Sequence, residues 1–303
     1  MNAPDVVLRD VTLRDGLQDE APIATADKLA IYEALVAAGV IDLELTSFVR
    51  PDRVPAMADA EAMCAATDHD GAPTRWGLVL NLRGAQRALD AGLDHLQYVV
   101  SVSDTHSRHN AGASTDDAVA GLAAVVAEAA PRGATVEVTL ATAFGCPYEL
   151  QIDAGRVVEV ATACTAAGAT AIGLADTIGV AIPSEVAHLI DVVRPEVGVP
   201  IGVHLHDTRG LGIANALTAI EHGVRRVDGS VGGLGGCPFA PGASGNLALE
   251  DLAHALEASG VSTGVDLDAL IAAAHVATDA VGRSVGSKVG VAGPRFAATA
   301  TPG

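Results

Sequence analysis

The chain has 303 residues, of which 50% are hydrophobic but only 3% aromatic, and its formal net charge is -19. That length buries a substantial core as one large α/β barrel or two smaller domains, and with so few rings the core must be built from Ala, Val, Leu and Ile. The charge argues against nucleic acid or an anionic membrane as partner, since both would be repelled over most of the surface, and no apolar stretch approaches the ~18 residues of a membrane span.

Short β-branched or Leu-rich runs at residues 6–13, 41–45, 75–80, 95–100, 135–141, 169–174, 200–205 and 226–230 predict eight strands. Between them, Ala-rich amphipathic stretches at 25–38, 116–130, 153–167, 183–193 and 213–222 predict helices. Gly39, Gly92, Gly168 and Gly223 each stand where a helix gives way to the next strand, which suits a left-handed helix terminus. Eight βα units of roughly thirty residues fit a (β/α)8 TIM barrel with extra C-terminal helices better than an open sheet. No GxGxxG follows the first strand, and no Pro-, Ser- or charge-rich linker divides the chain, so residues 1–303 read as a single catalytic domain. Four cysteines without CxxC spacing and an N-terminus lacking a signal core predict reduced thiols in the cytoplasm.

Barrel enzymes carry their chemistry at the carboxyl ends of strands, and the polar residues fall there. Arg14 and Asp15 follow strand one, Glu44 and Ser47 strand two, Asn81 strand three, and Ser103 and Asp104 strand four. Asp176 follows strand six, His204 and His206 close strand seven, and Cys237 and Asn246 lie beyond strand eight. Alternation along a strand sends His204 and His206 to one face. With Asp15 and Asn246 they form a mixed N/O set that accommodates Mg²⁺, Mn²⁺ or Zn²⁺ with open positions for substrate. The competing reading is a hydrogen-bonded histidine pair in the core.

Arg14 is either a surface ion-pair partner or a guanidinium that stabilises a developing oxyanion. Glu44, which interrupts an apolar run, either orients Arg14 or transfers a proton. Cys237 stands after a glycine-rich segment able to hinge over a pocket, which favours a working thiol over a packing one. Cys64 and Cys164 lie in predicted helices and read as core; Cys146 is open.

Taken together, Thr12-Leu13-Arg14-Asp15-Gly16-Leu17-Gln18-Asp19-Glu20, Glu44-Leu45-Thr46-Ser47, Phe144-Gly145-Cys146-Pro147-Tyr148, Asp176-Thr177, His204-Leu205-His206-Asp207, Gly235-Gly236-Cys237-Pro238 and Gly242-Ala243-Ser244-Gly245-Asn246 resemble the 3-hydroxy-3-methylglutaryl-CoA lyase family. That family sits in the metal-dependent lyase superfamily that also contains isopropylmalate synthase. The resemblance implies a divalent cation, Mg²⁺ or Mn²⁺, on Asp15, His204, His206 and Asn246, and retro-Claisen cleavage of the acyl-CoA to acetyl-CoA and acetoacetate. It implies that Arg14 stabilises the thioester enolate, that Cys237 delivers the final proton, and that the base is His204 or an Asp176-linked relay. Glu44 and Glu250 would orient Arg14 and the loop, Gln18, Ser47 and Thr177 would fix the acyl group, and a homodimer acting in leucine degradation is expected.

Condensing synthases of the superfamily carry Gly-Glu-Arg-Ala-Gly-Asn where this chain has the Cys237 segment, so the lyase reading prevails over a synthase or a non-catalytic metabolite-binding barrel. Where the family's lyases place Lys-Lys-Asn and Asn-Arg-Lys toward the CoA phosphates, this chain has Arg108-His109-Asn110 and Gly282-Arg283-Ser284. Arg108, Asn110, Arg283 and Lys288 are the expected contacts of that thinned patch, and a longer 3-hydroxy-3-alkylglutaryl-CoA is the alternative substrate.

Overall fold

A computed structural model of the chain describes residues 3–69, 71–236 and 245–296, and within them eight parallel strands close into a barrel in sequence order. The strands are β1 (Val7–Asp10), β2 (Asp42–Ser47), β3 (Thr74–Val79), β4 (His95–Ser101), β5 (Thr135–Ala141), β6 (Ile172–Asp176), β7 (Ile201–Leu205) and β8 (Arg226–Gly229). Pairing of Val7 with Arg226 and of Asp10 with Gly229 closes β1 onto β8. Each predicted strand is found. β1 stops short of the predicted end because the chain leaves it for a π-helical turn, Thr12–Gly16.

Around the strands run α1 (Thr25–Ala37), α2 (Ala60–Ala66), α3 (Leu82–Asp90), α4 (Asp104–Ala111), α5 (Thr115–Ala129), α6 (Ala154–Ala166), α7 (Pro183–Val197) and α8 (Gly212–Glu221). Three C-terminal helices follow, α9 (Leu249–Ala258), α10 (Leu267–Ala280) and α11 (Lys288–Ala292), as the sequence led us to expect. Gly39, Gly92, Gly168 and Gly223 all adopt positive φ, between 85° and 106°, the backbone state that ends a helix at low cost only in glycine. α7 runs past its predicted end at residue 193 to Val197, carrying Pro195 in its last turns.

Between strands and helices the core is aliphatic, as composition predicts: Leu8, Leu43, Leu96, Leu174, Val203 and Val227 are buried there. Cys64 and Cys164 belong to that core, and burial pushes their thiols up to about 11 and about 12. The barrel interior differs. Instead of layers of branched apolar side chains, it holds Arg9, Gln97, Glu137, Arg226 and Asp228 in ion pairs and hydrogen bonds. Alternation along each strand puts these polar positions on the inner face and their apolar neighbours on the outer one.

Candidate metal centre and its cleft

The turn after β1 is fixed before it presents any chemistry. Asp10 accepts hydrogen bonds from the Thr12 N–H at 2.9 Å and its hydroxyl at 2.7 Å, and Thr12 Oγ1 accepts one from the Val231 N–H at 2.9 Å. This ties the turn to the segment leaving β8. All five residues of the π-helical turn are buried, and such turns often mark functional positions in helices. Here the turn directs Arg14 and Asp15 into the barrel mouth.

At the opposite wall β7 delivers the two histidines as expected, with their Nε2 atoms 3.2 Å apart. Asn246 arrives by main-chain pairing: it forms an antiparallel bridge with His206, while the Leu247 N–H donates to Leu205 O at 3.0 Å and the Ser230 N–H to Leu247 O at 3.0 Å. The returning segment thus inserts between the ends of β7 and β8. Asn246 Nδ2 then donates to Asp15 Oδ2 at 2.7 Å and to Leu234 O at 3.0 Å.

β2 contributes through an irregularity. Glu44 and Ser47 are three positions apart, which in a regular strand means opposite faces. The register slips between Glu44 and Thr46, and this bulge brings both to the cleft wall. Glu44 accepts from Arg14 Nε, and Arg14 Nη1 donates to Asp15 Oδ1. Gln18 Nε2 adds a 3.3 Å bond to the same Asp15 oxygen.

Burial alone would neutralise this cluster, so its charges exist only as partners. Burial pushes Asp15 up, but Arg14 and the two imidazoles outweigh it and hold the carboxyl well below its usual range. Arg14, against the lowering effect of burial, is held charged by Glu44 and Asp15. His204 is raised overall, because Asp228 and Asp15 outweigh its burial.

Asp15, His204 and His206 each offer one ligand atom, all within 4.8 Å of one another. The buried Asn246 Oδ1 and His206 Nδ1 have no partner among the described residues, and such orphaned groups call for an explanation. Asn246 Oδ1 is an amide oxygen beside a carboxylate and two imidazoles, so the four side chains fit a hard or borderline divalent cation.

The cluster opens onto a cleft of about 1440 Å³. Gln18, Ser47, Thr177 and Asn110, all expected substrate contacts, line it with Arg14, Asp15, Glu44, His204 and His206. Three expectations are corrected, at Asp176, Arg283 and Lys288, and Glu250 keeps only the loop-orienting part of its expected role. Asp176 is turned to structure, its two oxygens accepting the Val180 and Ala181 N–H groups at 2.9 and 3.0 Å. Glu250 accepts the Gly232 N–H at 2.9 Å and so braces the loop after β8, but it is not paired with Arg14. Arg283 pairs with Glu20 at 2.9 Å, and Lys288 opens α11 with its N–H on Asp251. Neither cation is among the cleft residues. Cys237 lies outside the described residues. Cys146 is buried with its Sγ 3.0 Å from Ser103 Oγ, a packing and hydrogen-bonding role.

Sequence reasoning missed Asp228, which borders the cleft from β8, and His106, whose Nδ1 lies 2.8 Å from Ser101 Oγ. Burial, with His109 nearby, pushes His106 down to about 4, so it offers the cleft a neutral imidazole. Arg50, Arg53, Arg83 and Arg87 were missed: they come from the loop after β2 and from α3, and meet Arg108 of α4, already expected at the CoA phosphates, only in three dimensions.

A family model described as HMGL-like matches residues 5–277. The chain is 38% identical to a hydroxymethylglutaryl-CoA lyase of Bacillus subtilis, covering 93% of this chain and 95% of the relative. It is also 38% identical to an (R)-citramalyl-CoA lyase of Chloroflexus aurantiacus, covering 96% of each. Among solved structures, an HMG-CoA lyase from Acinetobacter baumannii in complex with coenzyme A and 3-methylmalate superimposes with a TM-score of 0.92 at 36% identity, covering 100% of both chains.

Proposed function

The chain belongs to the HMGL-like family, and from that premise we propose that it is a carbon–carbon lyase cleaving 3-hydroxy-3-methylglutaryl-CoA to acetyl-CoA and acetoacetate. The observation that carries the reading is the buried Asp15, His204, His206 and Asn246 cluster, set beside an anchored Arg14 at the floor of a cleft large enough for an acyl-CoA. The cation these four residues would hold is Mg²⁺ or Mn²⁺. When bound, it supplies Lewis acidity to the substrate's tertiary hydroxyl and carboxylate oxygens.

The protein's own groups do the rest. Loss of the hydroxyl proton lets the C2–C3 bond break, leaving acetoacetate and the enolate of acetyl-CoA. Arg14, with Nε on Glu44 and Nη1 on Asp15, is held rigidly enough to meet the enolate oxygen without reorganising. Asp176 is committed to backbone N–H groups and His204 faces Asp228 and the cluster. The role of receiving the hydroxyl proton is assigned to Glu44, the cleft-wall carboxylate beside Arg14. The enolate carbon takes its proton from Cys237.

The CoA phosphates fit the arginines of the cleft rim, Arg50, Arg53, Arg83 and Arg108, which supply positive charge to a strongly acidic chain. The same reading carries a homodimer, and the free thiols among the described residues, Cys64, Cys146 and Cys164, suit a reducing cytoplasm.

Equal identity to an (R)-citramalyl-CoA lyase gives a second reading. That thioester has the same tertiary hydroxyl one carbon closer to its carboxylate, and would yield pyruvate in place of acetoacetate. Incubating the enzyme and Mn²⁺ with each thioester separates them: acetoacetate formed with the higher kcat/KM supports the first reading, and faster pyruvate release replaces it with the second.

A further inference from the structure

The charges inside the barrel form one connected series running from its base to the proposed metal centre. Asp42 accepts from Arg9 Nε at 2.8 Å, and Arg9 Nη1 reaches Glu137 Oε2 at 2.5 Å. Glu137 Oε1 lies 3.2 Å from Arg226 Nη2, and Arg226 Nη1 donates to Asp228 Oδ1 at 2.6 Å. Asp228 Oδ2 faces His204 Nδ1 at 3.7 Å. Beyond His204 come Asp15, Arg14 and Glu44.

Two features separate this series from ordinary buried ion pairs. The first is its charge: guanidiniums on Arg9, Arg14 and Arg226 stand against carboxylates on Asp15, Asp42, Glu44, Glu137 and Asp228, a surplus of two negative charges. Such a surplus in a low-dielectric interior is stabilised by a divalent cation. The second is the space made for Arg226: a Cβ on Gly202 would collide with its guanidinium, and one on Gly173 would come within 3.5 Å of Nη2. Gly202 lies two residues before His204 on the same inward face of β7.

A neutral imidazole carries its proton on one nitrogen, and the hydrogen bond made there decides which nitrogen keeps a lone pair. We infer that Asp228 is a positioning residue that holds the His204 proton at Nδ1 and so turns the Nε2 lone pair toward Asp15 and His206, with Arg226 fixing Asp228 and Glu137 fixing Arg226. The metal centre is thereby braced from inside the barrel. This rests on the reading of Asp15, His204, His206 and Asn246 as cation ligands.

Mn²⁺ titration followed by electron paramagnetic resonance tests it on the full chain, with long-range ¹H–¹⁵N spectra of the metal-free protein labelled at histidine. Asp228→Ala is expected to weaken Mn²⁺ binding about 10–100-fold, and Asp228→Asn, whose amide oxygen still accepts the proton, to recover part of the loss. Asp42→Asn, at the far end of the series, is expected to leave affinity within about twofold. Wild-type His204 is expected as the Nδ1–H tautomer. An Asp228→Ala affinity equal to wild type, or an equal loss in Asp42→Asn, overturns the inference. If wild type binds no Mn²⁺ the ligand reading itself fails. An Nε2–H tautomer at His204 overturns the positioning role even if every variant misfolds.

Discussion

Gly235 is the position where a single methyl group tests how Asn246 is held. It adopts φ +119°, and a Cβ there would lie 2.6 Å from Asn246 Nδ2 and 3.3 Å from the Asp15 carbonyl oxygen. An L-residue in that backbone state costs of order 1–3 kcal/mol. The contact also forces Asn246 to move, breaking its 2.7 Å bond to the Asp15 carboxylate, and a hydrogen bond to a charged group contributes about 1.5–3 kcal/mol. Because the two overlap, Gly235→Ala should destabilise the protein by about 2–4 kcal/mol, or about 3–6 °C in Tm for a chain of this size. Displacing Asn246 Oδ1 should also weaken Mn²⁺ binding about 10–100-fold. Gly92→Ala is the control, since Gly92 has φ +88° but nothing lies within 4 Å of its added Cβ. It should share the backbone cost and keep wild-type metal affinity. Thermal unfolding with and without Mn²⁺, together with metal titration, reads both effects. Unchanged Mn²⁺ affinity in Gly235→Ala, or an equal loss in Gly92→Ala, would refute the role given to Asn246.

Arg14→Lys replaces a fork that holds Glu44 and Asp15 together with a single ammonium; kcat should fall about 10²–10³-fold with little change in Mn²⁺ affinity, and a parallel loss of metal binding would show Arg14 to be a structural support. Arg50→Glu combined with Arg53→Glu should raise KM for the thioester at nearly constant kcat and flatten the salt dependence of kcat/KM; an unaltered KM would send the phosphates elsewhere. Glu250 has its carboxyl pushed by burial to about 7 from an ordinary 4.5. The folded state therefore favours its neutral form, and the associated stability, about 3 kcal/mol, is complete below pH 4.5 and lost as pH rises to about 7. Glu250→Gln should remove that decline from urea-unfolding curves between pH 5 and 8, and curves identical to wild type would contradict the assignment.

The barrel was legible because its strands read as apolar runs and its helices stop at glycines whose positive φ no other residue adopts cheaply, as at Gly39 and Gly168. The histidine pair was legible for the same reason: a two-residue period survives from sequence to structure at His204 and His206. The part played by Asn246 could be named only by resemblance, since it depends on a main-chain bridge to His206 across forty residues. Glu44 and Ser47 share the cleft because of a bulge that no residue type announces. Charged residues at inward positions, Glu137 in Thr-Val-Glu-Val-Thr and Asp228 in Arg-Arg-Val-Asp, were a readable signal of a polar interior. Reading the strands mainly for their apolar residues obscured it. Arg283 and Lys288 were misplaced because positive charge was sought at fixed sequence positions, whereas the arginines of the cleft converge from the loop after β2, from α3 and from α4.

The most direct test is cleavage of 3-hydroxy-3-methylglutaryl-CoA in D₂O by metal-stripped enzyme, with and without added Mn²⁺, followed by mass spectrometry of the acetyl-CoA. Acetoacetate and acetyl-CoA carrying one solvent deuterium in its methyl group, formed only when the cation is restored, is the expected result. Cleavage undiminished by chelation, or no cleavage of this thioester at stoichiometric enzyme with Mn²⁺ present, would contradict a metal-dependent lyase acting through an enolate on this substrate.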